Sequence, residues 1–252
     1  MNGAPFRPAE TRAGGLLPQV PVLGYHHVHD GEDCFFRTWP ESFRRQMEIL
    51  REAGYVPTTP EGLAGQKDAC RPAERLALVT FDDAYEDFRQ FAWPILESLG
   101  IPATLFVITD AIGGGNDWDD LAPRRHRHLT AGELRQLHGA GVTIGSHTRS
   151  HRPLVRLSDA ELESELSDSR HFLEDLLGGA VTTLAYPGGA AGLRERNAAE
   201  RWYELAFAVD PGPLGALCDP YLIPRFDPCF HQGPEDFLAQ LERHTGGTDG
   251  PR

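Results

Sequence analysis

Short apolar runs alternate with amphipathic helical segments along most of this chain. Parallel strands need long crossover connections, so this alternation is typical of a parallel sheet whose strands are joined by helices. About seven such β/α units within 252 residues predict an α/β fold, a single irregular (β/α) barrel with mostly parallel strands. The predicted strands cover residues 20–25, 55–59, 76–81, 103–109, 142–146, 181–186, 206–209 and 221–226.

Helix boundaries are marked by local signals. Thr130 and Ser158 each stand three residues before a glutamate, which is the spacing of a capping box, so a helix is predicted to begin at each. Pro94 lies inside the helical pattern that follows residues 76–81 and predicts a kink there.

The ends of the chain differ in composition from the rest. Residues 1–17 are rich in Gly, Pro, Arg and Ala and are predicted to be disordered, residues 18–245 to form one domain, and residues 246–252 a flexible tail. No apolar run reaches the ~18 residues that a membrane-spanning helix needs. The first residues carry no apolar core of the kind found in secretory signals, so a cytoplasmic protein is expected.

The net charge limits the classes of partner that are expected, and the cysteines indicate the redox compartment. With 24 Lys and Arg against 37 Asp and Glu, the net charge of −13 argues against nucleic acid and anionic membranes as partners. The cysteines Cys34, Cys70, Cys218 and Cys229 form no CxxC pair. They are predicted to be free thiols of a reducing compartment, with a Cys218–Cys229 disulfide as the alternative.

Two adjacent carboxylates, Asp82 and Asp83, end the apolar run at 76–81. Two like charges at a buried strand end are costly unless a cation or a shared proton offsets them. Neighbours on an extended strand point to opposite sides, so one carboxylate could hold a metal ion while the other handles a proton. The alternative is that one of them only caps the following helix.

Other ionisable side chains also follow predicted strands, namely His26, His147, His151 and Tyr186. In a barrel the carboxyl ends of the strands share one rim, where active sites lie. His147 and His151 are four residues apart, which on a helical turn puts both imidazoles on one side. With one carboxylate they form a two-histidine metal site, suited to zinc hydrolysis or to iron and dioxygen chemistry. The α/β pattern does not fit the antiparallel jelly rolls of the iron oxygenases.

A family resemblance rests on five short motifs. TFDD at 80–83, SHTRSH at 146–151 and AYPGG at 185–189 resemble, in order and spacing, the first three motifs of the polysaccharide deacetylases. These are the NodB-homology domain, or carbohydrate esterase family 4. GYHHV at 24–28 and IPRF at 223–226 are similar to the permuted branch that includes the poly-N-acetylglucosamine deacetylases.

The resemblance implies a metal-dependent mechanism. It implies that Asp83, His147 and His151 are the metal ligands and that Asp82 is the general base toward the attacking water. Zn2+ is the expected ion, and Co2+, Ni2+ or Fe2+ would also suit this ligand set.

The resemblance also implies supporting roles. His26 is the expected general acid, with His27 as the alternative, and the backbone N–H of Tyr186 is expected to help hold the oxyanion. Arg225 is expected to pair with Asp82 and orient it, the alternative being an ordinary surface ion pair.

Three further positions carry weaker expectations. Trp118 and Asn116 could contact a sugar face, and residues 124–128 (RRHRH) are expected to be a solvated charge run. The family usually has glycine where this chain has Ala84, so this position has an ordinary backbone angle or tolerates mild strain.

The leading interpretation is a metal-dependent hydrolase that removes N-acetyl groups from an acetylated amino sugar, oligosaccharide or polysaccharide. O-acetyl ester hydrolysis, a metal-independent amide hydrolase on the same fold and a non-catalytic carbohydrate-binding relative are the alternatives.

Overall fold

The computed structural model describes residues 16–31, 34–66, 74–116, 126–209, 217–230 and 233–244. Of the segments predicted to be disordered or flexible, residues 1–15 and 246–252 lie outside these ranges. Leu17 is a correction at the boundary. It is fully buried and belongs to a short strand, Leu17–Pro18, that pairs antiparallel with Leu217–Cys218.

Eight strands form the main sheet, and every pairing between them is parallel. They are β1 (Val22–Tyr25), β2 (Tyr55–Pro57), β3 (Arg75–Phe81), β4 (Thr104–Val107), β5 (Thr143–Ser146), β6 (Thr183–Ala185), β7 (Leu205–Val209) and β8 (Ile223–Arg225). Their spatial order is β8-β7-β6-β5-β4-β3-β1, and β2 pairs with the beginning of β3. The two ends of this order meet, because Gly24 donates its N–H to the carbonyl of Phe226 at 2.9 Å. The predicted α/β barrel is confirmed.

Seven α-helices accompany the strands in the described part of the chain. They are α1 (Pro40–Glu52), α2 (Pro60–Ala64), α3 (Trp93–Leu99), α4 (Ala131–Gly139), α5 (Asp159–Leu177), α6 (Leu193–Trp202) and α7 (Pro234–Arg243). Within these described ranges, none of the helices has the length and apolar character that a bilayer span requires.

The local signals act as predicted. Both capping boxes are formed, with Thr130 and Glu133 at the start of α4 and Ser158 and Glu161 at the start of α5. The kink predicted at Pro94 takes the form of a π-helical turn, Phe88–Ala92, directly before α3. Proline has no N–H for the usual helical bond, and a π-helical turn accommodates such an interruption.

The short elements complete the connections. They are the 3-10 turns Thr109–Ala111, Leu154–Arg156, Pro187–Gly189 and Pro228–Phe230 and a parallel pair of two-residue strands, His27–Val28 and Arg37–Thr38.

The interior of the barrel changes from apolar to polar along its axis. On β3, alternate residues share one face, and Leu76 and Leu78 belong to the inner apolar cluster with Phe106 and Phe207. Continuing on the same face, Thr80 and then Asp82 are buried polar residues. The helices cover the outer face through a larger apolar cluster. The apolar residues thus fill the amino end of the barrel, and polar chemistry is concentrated at the carboxyl ends of the strands.

Candidate metal centre

The carboxyl ends of three strands bring the predicted residues together. Asp82 and Asp83 follow β3, His147 follows β5 and Arg225 ends β8. All four are buried, with exposed fractions between 1% and 4%. The expectation that these strand ends share one rim is confirmed, and it explains how residues distant in sequence meet.

Asp83, His147 and His151 form a three-ligand cluster. The carboxylate oxygen Oδ1 of Asp83 lies 3.5 Å from Nε2 of His147 and 3.6 Å from Nε2 of His151. One ligand atom from each residue lies within 4.8 Å of the others. A tetrahedral or octahedral divalent ion with a two-histidine, one-carboxylate set fits donors at this spacing.

Four residues of this cluster and its flanks have left-handed backbone conformations. The φ angles are 67° at Asp83, 57° at Ala84, 66° at Thr148 and 59° at His151. Each costs about 1–3 kcal/mol for a non-glycine residue, and such strain concentrates at functional sites. For Ala84 the sequence predicted either an ordinary backbone angle or a mildly strained one, and the structure has the strained angle.

The two histidines meet through a bent loop. Residues 147–151 lie outside any helix, so the prediction that a helical turn aligns His147 and His151 is wrong. The left-handed angles at Thr148 and His151 turn the chain back on itself instead.

The ligand atoms are set up for a cation. Nδ1 of His147 lies 2.8 Å from the carbonyl of Ala185 and donates to it, which leaves the lone pair of Nε2 free. Oδ1 of Asp83 is buried and has no hydrogen-bond partner in the described structure. A buried carboxylate oxygen without a partner is costly, and a bound cation would remove that cost. The residues present therefore fit a divalent metal ion.

Glu165 on α5 supports the loop from behind. Its carboxylate accepts hydrogen bonds from the backbone N–H of Arg149 at 2.9 Å, the N–H of Ser150 at 2.8 Å and the Ser150 hydroxyl. Glu165 is itself 1% exposed. Sequence reasoning missed this residue, because nothing local distinguishes it from the other glutamates of an acidic helix.

We expect Glu165→Ala to weaken metal binding by about 10–100-fold, the usual cost of losing an outer-shell partner. The reason is that two backbone N–H groups of the strained loop lose their acceptor. Glu165→Gln, whose amide oxygen can still accept both N–H groups, should restore most of the affinity. Asp175→Ala, at an exposed position of the same helix, is the matched control. Metal titration by calorimetry measures the effect, and equal affinities for Glu165→Ala and the control would contradict it.

Asp82 is held by Arg225. The guanidinium donates two hydrogen bonds to the carboxylate, each at 2.7 Å, and a third at 3.2 Å to the hydroxyl of Thr80. Burial by itself raises the pKa of Asp82, but the adjacent Arg225 cation outweighs it and holds the pKa well below its ordinary value. Arg225 is 3% exposed, so the alternative of a surface ion pair is wrong.

His26 faces the same site. Its Nε2 lies 3.9 Å from Oδ2 of Asp82, and its Nδ1 lies 3.3 Å from Oδ2 of Asp227. Burial lowers the pKa of His26, but the adjacent Asp227 carboxylate and the charges of Asp82 and Asp83 outweigh burial and raise the pKa to about 9. Asp227 was missed, although it directly follows the IPRF motif at a strand end.

His27 points away from this centre. Its Nδ1 lies 2.6 Å from Oδ2 of Asp87, and its ring stacks on Tyr85 with centroids 4.0 Å apart. The geometry therefore places His26, and not His27, beside Asp82.

Tyr186 does not fit its expected role. Its backbone N–H donates to the carbonyl of Phe207 at 3.0 Å as part of the sheet, so it is not a free donor for an oxyanion. Its hydroxyl donates to the carbonyl of Tyr221 at 2.9 Å.

Three weaker expectations can also be compared with the structure. Asn116 is 3% exposed and its side-chain oxygen accepts from the N–H of His126, so contact with a sugar face is wrong for it. Trp118 lies outside the described residues. Residues 124 and 125 of the predicted charge run also lie outside the described residues. His128 is 2% exposed, so the prediction of a solvated charge run is wrong at that position.

The cysteines behave largely as predicted. Cys34, Cys218 and Cys229 are reduced and take part in no disulfide, which makes the alternative Cys218–Cys229 disulfide wrong. Cys70 lies outside the described residues.

Sequence comparison gives a family match. The profile of the polysaccharide deacetylase family matches residues 70–203, just over half of the chain. YxkH of Bacillus subtilis, named as a polysaccharide deacetylase, is 31% identical over 197 residues, which cover 77% of this chain and 66% of YxkH. A poly-β-1,6-N-acetyl-D-glucosamine N-deacetylase of Staphylococcus aureus is 28% identical over 126 residues, which cover 46% of this chain and 41% of that protein. The chain thus spans two thirds or less of these relatives.

Solved structures share the fold. A deacetylase of Streptococcus pyogenes, PplD, determined in complex with acetate, superposes with a TM-score of 0.75 at 24% identity, covering 90% of this chain and 99% of that one. IcaB from Ammonifex degensii gives a TM-score of 0.72 at 21% identity, with 91% and 98% covered. At these identities the similarity establishes the architecture of the barrel.

Proposed function

Since this chain belongs to the polysaccharide deacetylase family, we propose that it is a metal-dependent hydrolase that removes N-acetyl groups from an amino sugar or its polymer. The observation that carries the proposal is the largely buried cluster of Asp83, His147 and His151, in which a carboxylate oxygen has no hydrogen-bond partner among the described residues. Asp82 and His26 stand beside it, each oriented by an oppositely charged residue.

The chemistry divides among these side chains. Asp83, His147 and His151 would hold a divalent ion, with Zn2+ the first expectation and Co2+, Ni2+ or Fe2+ compatible with the same donors. Such an ion, when bound, polarises a carbonyl and lowers the pKa of water. Asp82 would accept the proton of the attacking water, because it is no part of the ligand cluster and Arg225 fixes its orientation.

His26 would supply the second proton transfer. Breaking an amide bond requires protonation of the leaving amine, and Nε2 of His26 lies 3.9 Å from Oδ2 of Asp82, beside the ligand cluster. The carboxylate of Asp227 at Nδ1 stabilises the imidazolium that donates this proton.

Aromatic rings beside His26 suit a sugar substrate. Phe36 stacks on the imidazole with centroids 4.4 Å apart, and Phe35 and Phe230 pack against Phe36. Phe35 is 76% and Phe230 is 56% exposed. Exposed aromatic faces next to a catalytic histidine can stack on the apolar face of a pyranose, which supports a carbohydrate rather than a small amide as substrate.

We expect the metal-loaded protein to release acetate from oligomers of β-1,6-linked N-acetylglucosamine, the substrate in the name of the Staphylococcus aureus relative. Asp82→Asn should lower kcat by about 10²–10⁴-fold, the usual contribution of a general base, while keeping the bound metal. Asp175→Asn, at an exposed position, should keep full activity. Acetate release and elemental analysis on the same samples measure both effects.

Two outcomes would change the proposal. Release of acetate from O-acetylated but not N-acetylated sugars would indicate an esterase. Equal rates for Asp82→Asn and wild type would remove Asp82 from the mechanism.

A further inference from the structure

A second group of ligand-type side chains lies behind the segment that carries His26. Residues two apart on an extended segment point to the same side, and His27 and His29 do so, while His26 between Tyr25 and His27 faces the catalytic centre. Cys34 joins these two histidines, and one ligand atom from each of the three lies within 4.8 Å of the others. Both imidazoles are buried and the thiol is half-buried. None of the three has a part in the hydrolysis proposed above.

His27 is oriented as metal-binding histidines are. A carboxylate can only accept, so Nδ1 of His27 donates its hydrogen to Oδ2 of Asp87 at 2.6 Å. This fixes the tautomer in which Nε2 carries a lone pair. The other oxygen of Asp87 is buried and has no hydrogen-bond partner in the described structure. The site therefore carries negative charge that a cation would offset.

His29 and Cys34 are already in contact. The sulfur of Cys34 lies 3.4 Å from Nε2 of His29. Nδ1 of His29 accepts a hydrogen bond from the N–H of Gly31 at 3.1 Å, so the ring hydrogen lies on Nε2, between nitrogen and sulfur. These two atoms can hold one ion between them in place of that hydrogen.

A third imidazole lies close to the pair. The ring of His126 is 4.3 Å from that of His27 and 6.0 Å from that of His29, between centroids. Its backbone is fixed by hydrogen bonds in both directions with Asn116.

We propose that His27, His29 and Cys34 form a second metal site, for Zn2+, with His126 as the nearest further imidazole. Two imidazoles and one thiolate are ligands that favour Zn2+ over Mg2+ or Ca2+. This site shares no ligand with the cluster of Asp83, His147 and His151, and it does not depend on the proposed deacetylase activity.

Binding of Zn2+ at this site changes the protonation of two ligands. The Cys34 thiol loses one proton to solvent, and the hydrogen of His29 moves from Nε2 to Nδ1. Gly31 then loses its acceptor on His29. Gly31 is exposed, so water can replace that acceptor, and the loss of one solvated backbone hydrogen bond is small beside the binding of Zn2+ to a nitrogen and sulfur site.

The bound ion would connect two segments of the rim. His27 begins and His29 directly follows the strand His27–Val28, which pairs with Arg37–Thr38, and Cys34 lies in the connection between these strands. Phe35 and Phe36 follow directly after Cys34, and Phe36 stacks on His26. Occupation of the site would therefore stiffen the segment that presents both His26 and its aromatic neighbours.

Cobalt titration of the chelator-treated full chain tests the proposal, because a thiolate ligand gives Co2+ an intense near-ultraviolet charge-transfer band. We expect wild type to bind about two ions per chain, one with the band, and added Zn2+ to abolish the band. His147→Ala should bind about one ion and keep the band, whereas Cys34→Ser should bind about one ion and lose it. Cys218→Ser, which changes another half-buried thiol, should behave as wild type.

A second variant distinguishes loss of a metal ligand from misfolding of the protein. His29→Gln should also lose the band, with an unchanged circular dichroism spectrum in both His29→Gln and Cys34→Ser. A wild-type protein that binds Co2+ without the band, or a band that persists in Cys34→Ser, would overturn the proposal.

Discussion

Replacing His147 by alanine is expected to remove the metal ion from the cluster of Asp83, His147 and His151. The rate of acetate release from an acetylated sugar should then fall by at least about 10³-fold. His147 is 1% exposed, and its Nε2 lies 3.5 Å from Oδ1 of Asp83, which has no hydrogen-bond partner within the described ranges. Without this imidazole only one carboxylate and His151, which is partly exposed, remain as ligands. Two ligands hold a divalent ion far more weakly than three.

The measurement pairs elemental analysis with acetate release. His138→Ala is the matched control, because His138 is an exposed histidine in the last turn of α4. The cobalt charge-transfer band distinguishes the two sites, so loss of metal from the catalytic cluster can be counted separately from the cluster around Cys34. If His147→Ala keeps its full metal content and activity, the ligand assignment is wrong.

Replacing Arg225 by methionine should lower the free energy of unfolding by about 3–5 kcal/mol at pH 7, measured on metal-free protein. The side chains of Arg225 and Asp82 are 3% and 5% exposed. Removing the guanidinium leaves the Asp82 carboxylate buried without its two hydrogen bonds. An unpaired buried charge destabilises the folded state by much more than the intact ion pair stabilises it. Arg201→Met is the control, since it breaks a largely exposed pair with Glu163 and should cost less than ~1 kcal/mol.

The destabilisation should depend on pH. In wild type, Arg225 keeps the pKa of Asp82 below its value in the unfolded chain, so the ionised pair contributes stability above the unfolded pKa of about 3.9 and loses it as the pH falls toward the folded pKa. In Arg225→Met, burial without the cation raises the pKa of Asp82 above the unfolded value. The variant therefore gains stability as Asp82 becomes protonated, and its deficit relative to wild type should shrink from pH 7 to pH 5.

Urea denaturation at both pH values measures this dependence. The double variant Asp82→Asn/Arg225→Met should recover most of the lost stability, because it removes the unpaired charge. A deficit that is the same at both pH values, with no recovery in the double variant, would indicate that Arg225 acts only through packing.

The fold could be predicted from the sequence because it depends on local patterns. Apolar runs and amphipathic periods identify the strands and helices, and the capping boxes at Thr130 and Ser158 identify two helix starts within a residue. Parallel strands present their carboxyl ends at one rim, so the positions of Asp82, Asp83 and His147 at strand ends already implied that they meet.

The identity of neighbours across the rim could not be predicted in this way. The sequence motifs left His26 and His27 as alternatives, and the structure separates them because adjacent residues point to opposite sides, one toward Asp82 and the other toward Asp87. It also shows that the N–H of Tyr186 is taken up by the sheet. Neither contact has a sequence signal, since each depends on which strand lies alongside.

Tertiary structure alone decided three features of the site. These are the support of the histidine loop by Glu165, the pairing of Asp227 with His26 and the burial of His128 within a segment that looks solvated. Sequence periodicity reports which face of an element is apolar, and a short motif reports which residues stand at its end. The chain determined its strands, its helices and its reactive strand ends, whereas the hydrogen bonds and charges that orient each reactive group come from residues far away in sequence, which only the closed barrel brings into contact.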